Sequence, residues 1–140
     1  MAEDRGKPAL SELFWGVTRR LRHAWRETLA PWDIAPSQAR ALGVLARHGT
    51  MRLRDLTDHL HIASRSTTEV VDALEDRGLV ERVQDPADRR ATLVALTAPA
   101  GTSTAAAIQD ARDAEAEAFF GALDESDREH LTRILGKLLH

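Results

Sequence analysis

Two groups of polar side chains in this 140-residue sequence have the chemistry to bind a polyanion. The first group is Arg65, Ser66, Thr68 and Glu69. The second is the pair Arg89-Arg90 in the segment DPADRR. A guanidinium can bond a phosphate oxygen or the O6/N7 edge of guanine, and a hydroxyl can bond a base or a phosphate. Both groups predict contact with nucleic acid. The alternative for Arg65 and Arg90 is an ordinary solvated surface charge.

The first group lies on a predicted helix whose other face is apolar. A buried stripe recurs there at three- and four-residue spacing, formed by Thr67, Val70, Val71 and Leu74. Asp72 and the polar group are left on the exposed face. Ser64 or Ser66 can cap the free N–H groups of the first turn, and Gly78 can adopt the left-handed conformation that ends a helix.

The second group lies at the tip of a predicted hairpin. Residues 79–84 and 91–96 have the character of two strands. Between them, Asp85-Pro86 and the charged run to Arg90 are expected to interrupt the ladder, because proline lacks an N–H and the charges need water. The sequence therefore predicts a solvated, mobile arm that carries two adjacent arginines.

Helices account for most of the remaining chain, so the fold class is mainly α with a small β-hairpin. Apolar spacing predicts helices over residues 8–29, 37–47 and 53–60, an alanine-rich helix over 99–123, and a last helix that Asp124 caps. The terminal helices carry more apolar surface than a small lobe can cover, which favours a dimer. The alternative is an intramolecular bundle.

These blocks resemble the MarR family of bacterial regulators over most of the chain. The resemblance rests on LEDRGLVER at 74–82, on the wing motif Asp88-Arg89-Arg90, and on LVALT at 93–97 with Gly101. It implies a winged helix-turn-helix lobe at 36–98, flanked by dimerisation helices at 1–35 and 99–140. It also implies a homodimer that represses transcription at a pseudo-palindromic double-stranded DNA operator and is released by a small ligand. Arg90 matches the family's wing arginine for the minor groove, with Arg89 on the backbone and Asp88 orienting Arg90.

Three positions depart from the family pattern. His61 replaces the usual glycine of the turn, where a left-handed backbone costs histidine some energy. Ala63 replaces the usual serine cap, so we expect capping to pass to Ser64 and the helix to begin later. Glu69 stands where a basic residue is common; an acid repels phosphate and could accept from cytosine N4.

Charge alone does not identify a nucleic-acid binder, because the chain carries a net charge of −3. Placement is more informative, since several arginines lie at predicted helix starts and at the hairpin tip. The predicted DNA contacts are Arg52, Arg54, Ser64, Arg65, Ser66, Thr68, Glu69, Arg89 and Arg90. We expect moderate affinity with a steep dependence on salt.

A second site is predicted from the composition of the first helix and the segment after it. Aromatic walls and cations suited to an aromatic or anionic ligand are offered by Trp15, Arg19, Arg22, His23 and Trp32. Arg22 and His23 cannot both share a helix face with Trp15, so at most some of this group converge. The alternative is that the tryptophans belong to the core or an interface and the arginines extend to solvent.

Other function classes find little support. His59 and His61 are two residues apart and lack a third ligand at suitable spacing, so we expect surface histidines and no metal. No catalytic motif or cofactor-binding loop is recognisable, and we expect neither an enzyme nor a cofactor.

The absence of cysteine excludes thiol redox sensing by these residues. The opening MAEDRGKP reads as a polar tail without a signal, and no run is long enough to span a bilayer, which predicts a cytoplasmic protein without membrane contact.

Two functions therefore remain open. The first is the dimeric transcriptional regulator described above. The second is a winged-helix protein-interaction module without sequence-specific DNA binding. The acidic character of the lobe at 36–98 and of Glu69 favours this alternative.

Overall fold

The computed structural model describes residues 6–140, which divide into two units. The central unit is Leu29–Ala111, and the terminal unit combines residues 6–28 with Arg112–His140. The first five residues of the predicted polar tail, which also open the predicted region 1–35, lie outside the described residues.

Three helices form the core of the central unit. They are α2 (Pro36–His48), α3 (Leu53–Leu60) and α4 (Ser64–Asp76), and a short 3₁₀ turn at Ala30–Trp32 precedes them. The predicted stripes are confirmed: the side chains that fill the core include Leu42, Leu56, Leu60, Val71 and Leu74, each nearly inaccessible to solvent. Burial of these apolar side chains provides most of the stability of the unit.

The start of α4 differs from the sequence-based expectation. Ala63 is the N-cap residue, and no side chain caps the first turn, so the prediction of a capping serine is wrong. The helix nevertheless begins at Ser64, since the Ala63 carbonyl accepts the first helical hydrogen bond from the N–H of the buried Thr67, whose hydroxyl donates to the same carbonyl. His61 adopts the predicted left-handed conformation, with φ of 54°, and closes α3.

A three-stranded antiparallel sheet completes the central unit. Its strands are β1 (Met51–Arg52), β2 (Val80–Asp85) and β3 (Asp88–Leu96), in the order β1-β3-β2. Strand β1 was not predicted. The regular ladder between β2 and β3 ends at Gln84 and Thr92, as expected, and the register then shifts so that Asp85 pairs with Asp88. Pro86 and Ala87 form the turn, and both arginines of the second group lie in the irregular part of β3, which was predicted to lie outside the strands. Proline still avoids the ladder, as expected.

Helix α5 (Ala100–Phe120) begins in close contact with the base of the hairpin. The N–H of Gly101 donates to the Thr97 hydroxyl, which itself donates to the Gly78 carbonyl. A Cβ added at Gly101 would lie 2.0 Å from the Leu79 carbonyl oxygen. Only glycine allows this approach, which explains its place after the LVALT segment.

The terminal unit contains most of α1 (Leu10–Leu29), the end of α5, and α6 (Glu125–Leu138). Asp124 caps α6 as predicted, since its carboxylate accepts from the Asp127 N–H at 2.8 Å. None of the described residues in this unit is buried. Over residues 6–140, no helix combines the length and apolar character needed to cross a membrane.

Candidate nucleic-acid interface

The exposed face of α4 presents a short row of polar side chains. Arg65, Thr68, Glu69 and Asp72 recur at three- and four-residue spacing, which aligns them along one side of the helix. The Thr68 hydroxyl donates to the Ser64 carbonyl at 3.1 Å, so this group is held against its own helix. Arg65 and Glu69 are exposed and make no hydrogen bond or ion pair with any residue of the described chain. They are the side chains on this face that can extend into a groove.

Two acids farther along α4, Asp72 and Glu75, are already paired. Arg82 of β2 contacts the Asp72 carboxylate at 2.6 Å and the Glu75 carboxylate at 2.9 Å. Partial burial disfavours the charged form of Arg82, but hydrogen bonds and charge interactions with Asp72 and Glu75 outweigh it and raise the pKa of Arg82. The pairing offsets part of the negative charge of the second half of α4 and ties the helix to the hairpin.

The hairpin turn is built around the Asp85 carboxylate. One of its oxygens accepts from the Ala87 N–H at 2.9 Å, and the other accepts from the Arg52 guanidinium at 3.1 Å. The N–H of Ala87 and the charge of Arg52 favour the ionised form, and together they lower the pKa of Asp85. Arg52 therefore anchors the turn from β1, where sequence reasoning expected a DNA contact at a helix start. That anchoring role went unrecognised because the two-residue strand gives no periodic signal.

Asp88 fixes the backbone that carries the arginine pair. Its carboxylate accepts from the Arg90 N–H at 3.0 Å and lies 4.0 Å from the Arg52 guanidinium. The Gln84 amide donates to the Arg89 carbonyl at 3.1 Å from the opposite strand. The hairpin tip is thus braced by hydrogen bonds to its backbone, while the guanidinium groups of Arg89 and Arg90 remain available.

Four of the predicted DNA-contact arginines are exposed and unpaired within residues 6–140. They are Arg54 in the first turn of α3, Arg65 at the start of α4, and Arg89 and Arg90 on β3. Ser64 and Ser66 are also exposed, in the uncapped first turn of α4. Free N–H groups at a helix start are suited to phosphate oxygens. The central unit therefore combines an open helix start with unpaired cations from three elements.

The predicted ligand-site residues are only partly brought together. Arg19 and His23 line a hollow of about 350 Å³ in the terminal unit, together with Phe119, and His23 contacts Glu27 at 3.1 Å. Trp15 and Arg22 are not among the residues that line it. Trp15 is 55% exposed and packs edge to face with Phe14, while Trp32 belongs to the central unit.

A larger groove was missed by sequence reasoning. It has a volume of about 720 Å³, and the residues around it in the central unit include Arg47, Thr50, Leu96, Ala105 and Asp110. It lies among three elements that are distant in sequence, so no local pattern could indicate it.

Elsewhere in this unit, His48 and His59 stack with ring centroids 4.4 Å apart. Within residues 6–140, no three histidine or acidic side chains are grouped so as to hold a metal ion.

Sequence comparison with known proteins places this chain in one family. The MarR family model matches residues 34–92, which include α2 to α4 and the hairpin. The Bacillus subtilis transcriptional regulator MhqR is 31% identical over 103 residues, an alignment that covers 74% of this chain and 70% of MhqR. This chain belongs to the MarR family. Both the family and the winged helix predicted from the motifs are therefore confirmed.

Two further comparisons show how much of a relative the chain covers and which fold it shares. YsmB of Bacillus subtilis, an HTH-type transcriptional regulator, is 36% identical over 76 residues, but this covers 54% of the chain and only 52% of YsmB. The chain thus matches about half the length of this MarR-family relative. A mutant form of Escherichia coli MarR in complex with operator DNA has a TM-score of 0.82 at 24% identity and covers 94% of both chains. That likeness establishes the fold. Both Bacillus subtilis relatives are named as HTH-type transcriptional regulators.

Proposed function

We propose that this chain is a homodimeric transcriptional repressor that binds a pseudo-palindromic DNA operator and is released by a small ligand. The observation that carries the proposal is the set of unpaired arginines Arg54, Arg65, Arg89 and Arg90 beside the uncapped start of α4. Family membership supports the same function.

Direct reading of bases is assigned to α4. Arg65 is suited to guanine or a phosphate, and Ser64, Ser66 and Thr68 to nearby phosphates or base edges. Arg90 is assigned to the minor groove and Arg89 to the backbone, as the resemblance to the MarR wing motif implies, and the braced turn supports this by holding both at the end of the hairpin. Arg54 binds phosphate, and Arg52 contributes by anchoring the turn.

Dimerisation is assigned to the terminal unit. Its exposed apolar side chains include Leu10, at 83%, and Leu138, at 72%. None of the described residues of this helical unit is buried. Burying its apolar surface against a second copy would therefore stabilise the unit. Two copies present two α4 helices about one turn of DNA apart, which requires a pseudo-palindromic site.

Release by a ligand is assigned to the terminal unit. The hollow that Arg19 and His23 line offers a cation beside the aromatic ring of Phe119, and this suits a small aromatic anion. The proposed site no longer depends on Trp15, Arg22 or Trp32.

The second candidate is a winged-helix module that binds protein and not DNA. The acidic character of the central unit and of Glu69 favours this second function. Arg82 pairs with Asp72 and Glu75, and Arg52 pairs with Asp85, so part of this negative charge is offset within the unit and the argument for a protein-binding module is weaker.

A mobility-shift titration separates the two functions. Purified protein is titrated against DNA from upstream of its own gene and against random DNA of equal length, at several salt concentrations. The regulator is expected to shift the upstream fragment at lower concentration, with an affinity that falls steeply with salt. Failure of the intact dimer to bind any fragment at low salt would refute DNA binding and favour the protein-binding module.

A further inference from the structure

We infer that Glu69 is a specificity-determining residue that selects cytosine in each half of the DNA site. The inference rests on the proposed function, because it assigns a base to one side chain of the α4 reading face. It depends on how the acidic residues of α4 are partnered and on the chemistry of base edges in the major groove.

Glu69 differs from Asp72 and Glu75 on α4. The carboxylates of Asp72 and Glu75 lie 2.6 and 2.9 Å from Arg82, which offsets part of their charge. Glu69 is exposed and lacks a cationic partner in the part of the chain that the structure describes. It also lies four residues after Arg65, one helical turn farther along the same face. Glu69 therefore presents a carboxylate without an ion pair on the exposed face that carries Arg65.

A free carboxylate on this face cannot be energetically neutral in a complex with DNA. It repels the phosphates, and no hydrogen bond within the described chain offsets this cost. A carboxylate only accepts hydrogen bonds, so a donor on a base edge is the DNA group that can offset this cost. In the major groove, only cytosine N4 and adenine N6 offer donors.

The neighbouring atoms of those bases favour cytosine. The adenine N6 donor lies between two acceptors that repel a carboxylate, its own N7 and O4 of the paired thymine, whereas cytosine N4 has an acceptor on one side only, O6 of the paired guanine. Guanine presents two acceptors, and thymine presents an acceptor and a methyl group. The expected order of preference at the base that Glu69 contacts is therefore cytosine, then adenine, then guanine or thymine.

The test compares base preferences of full-length variants by selection from a randomised DNA library, followed by affinity measurements. For the wild type, replacing the selected cytosine by thymine is expected to weaken binding about 5- to 100-fold. Glu69→Gln is expected to change the preferred base at that position to adenine, because an amide matches N6 and N7 together. Glu69→Ala is expected to lose the preference and to bind random DNA more tightly, because a charge that repels phosphate is removed.

The matched control is Glu129→Gln on α6, which removes the same charge and is expected to leave all base preferences unchanged. An unchanged preference in Glu69→Gln, with DNA binding intact, would overturn the inference. A change confined to a guanine that Arg65→Ala also affects would make Glu69 a positioning residue for Arg65 and would equally overturn it. Loss of all binding by the wild type would instead refute the proposed function.

Discussion

The arginines of the central unit do different work although they look alike in sequence. Arg52 and Arg82 are each tied to carboxylates, whereas Arg65 and Arg90 are exposed without such partners within residues 6–140. An arginine already engaged in an ion pair must exchange that pair for a phosphate, which reduces its net contribution to affinity. Unpaired arginines are therefore expected to provide most of the electrostatic affinity.

Replacement of Arg90 by alanine is expected to weaken binding by a similar factor on specific and random DNA. Loss of one cation from the minor groove, where it neutralises backbone charge, should also reduce the slope of log affinity against log salt by about 1. Arg65→Ala should instead change base preference, at a cost of about 1–3 kcal/mol on the preferred site. Fluorescence anisotropy at several salt concentrations measures both effects.

The matched control for these variants is Arg47→Ala. Arg47 is exposed at the end of α2, outside the two predicted contact groups, and its loss removes the same charge. Equal losses for Arg47, Arg65 and Arg90 on both DNAs would contradict the division between backbone binding and base reading.

At the level of secondary structure, sequence pattern predicted the elements that carry a repeating signal. Helix α3 has the predicted ends, and the buried stripe of α4 is as expected. Strand β1 was missed because its two residues cannot show alternation. The interruption of the ladder after Gln84 was predicted from charge and proline, but the strand that carries Arg89 and Arg90 across the register shift was not. The anchoring role of Arg52 could not be predicted, since it depends on a contact 33 residues away.

The pH dependence of stability should reveal the anchored turn. The pKa of Asp85 is lowered in the folded protein, so this carboxyl binds a proton less readily there than in the unfolded chain. Its contribution is therefore present at neutral pH and lost as the pH falls below about 4. Asp85→Asn keeps an acceptor for Ala87 but loses the charge facing Arg52. We expect it to lower the Tm at neutral pH and to have a diminishing effect as the solution is acidified.

Asp58→Asn is the control for the pH experiment. Asp58 is exposed on α3 and makes no ion pair or hydrogen bond within residues 6–140. Its replacement should have a small effect that changes little with pH. A difference between wild type and Asp85→Asn that stays constant from neutral to acidic pH would show that the charge of Asp85 does not stabilise the turn.

The junction of α5 with the hairpin should be sensitive to a single methyl group. Gly101→Ala places a Cβ 2.0 Å from the Leu79 carbonyl oxygen, and rigid backbone must move to relieve the clash. Overpacking of this kind costs roughly 1–3 kcal/mol or more in the free energy of unfolding. Gly43→Ala in α2 is the control, because its Cβ would meet only the flexible Arg47 side chain, at 3.6 Å. Chemical denaturation should find Gly43→Ala neutral or stabilising, and equal losses would contradict the packing argument.

At the scale of the whole molecule, the two units differ in how much they bury. The central unit has a closed core that includes Leu42, Leu56 and Leu74, each with no exposed surface. The described residues of the terminal unit leave Leu10, Leu13 and Phe14 about half exposed or more. Since transfer of apolar surface from water is favourable, stability of the terminal unit should depend on protein concentration.

Disruption of the apolar row on α1 should therefore abolish both dimerisation and tight DNA binding. Leu13→Glu places a charge in this row and is expected to yield monomers in sedimentation velocity. Loss of the second reading helix should weaken binding to a two-half-site operator about 10²- to 10⁴-fold, while binding to a single half-site changes little. Arg26→Glu adds an acid to α1 outside the row and should preserve the dimer. A folded Leu13→Glu dimer would exclude this row from the interface, and a wild-type monomer that binds the full operator tightly would refute the dimeric mechanism.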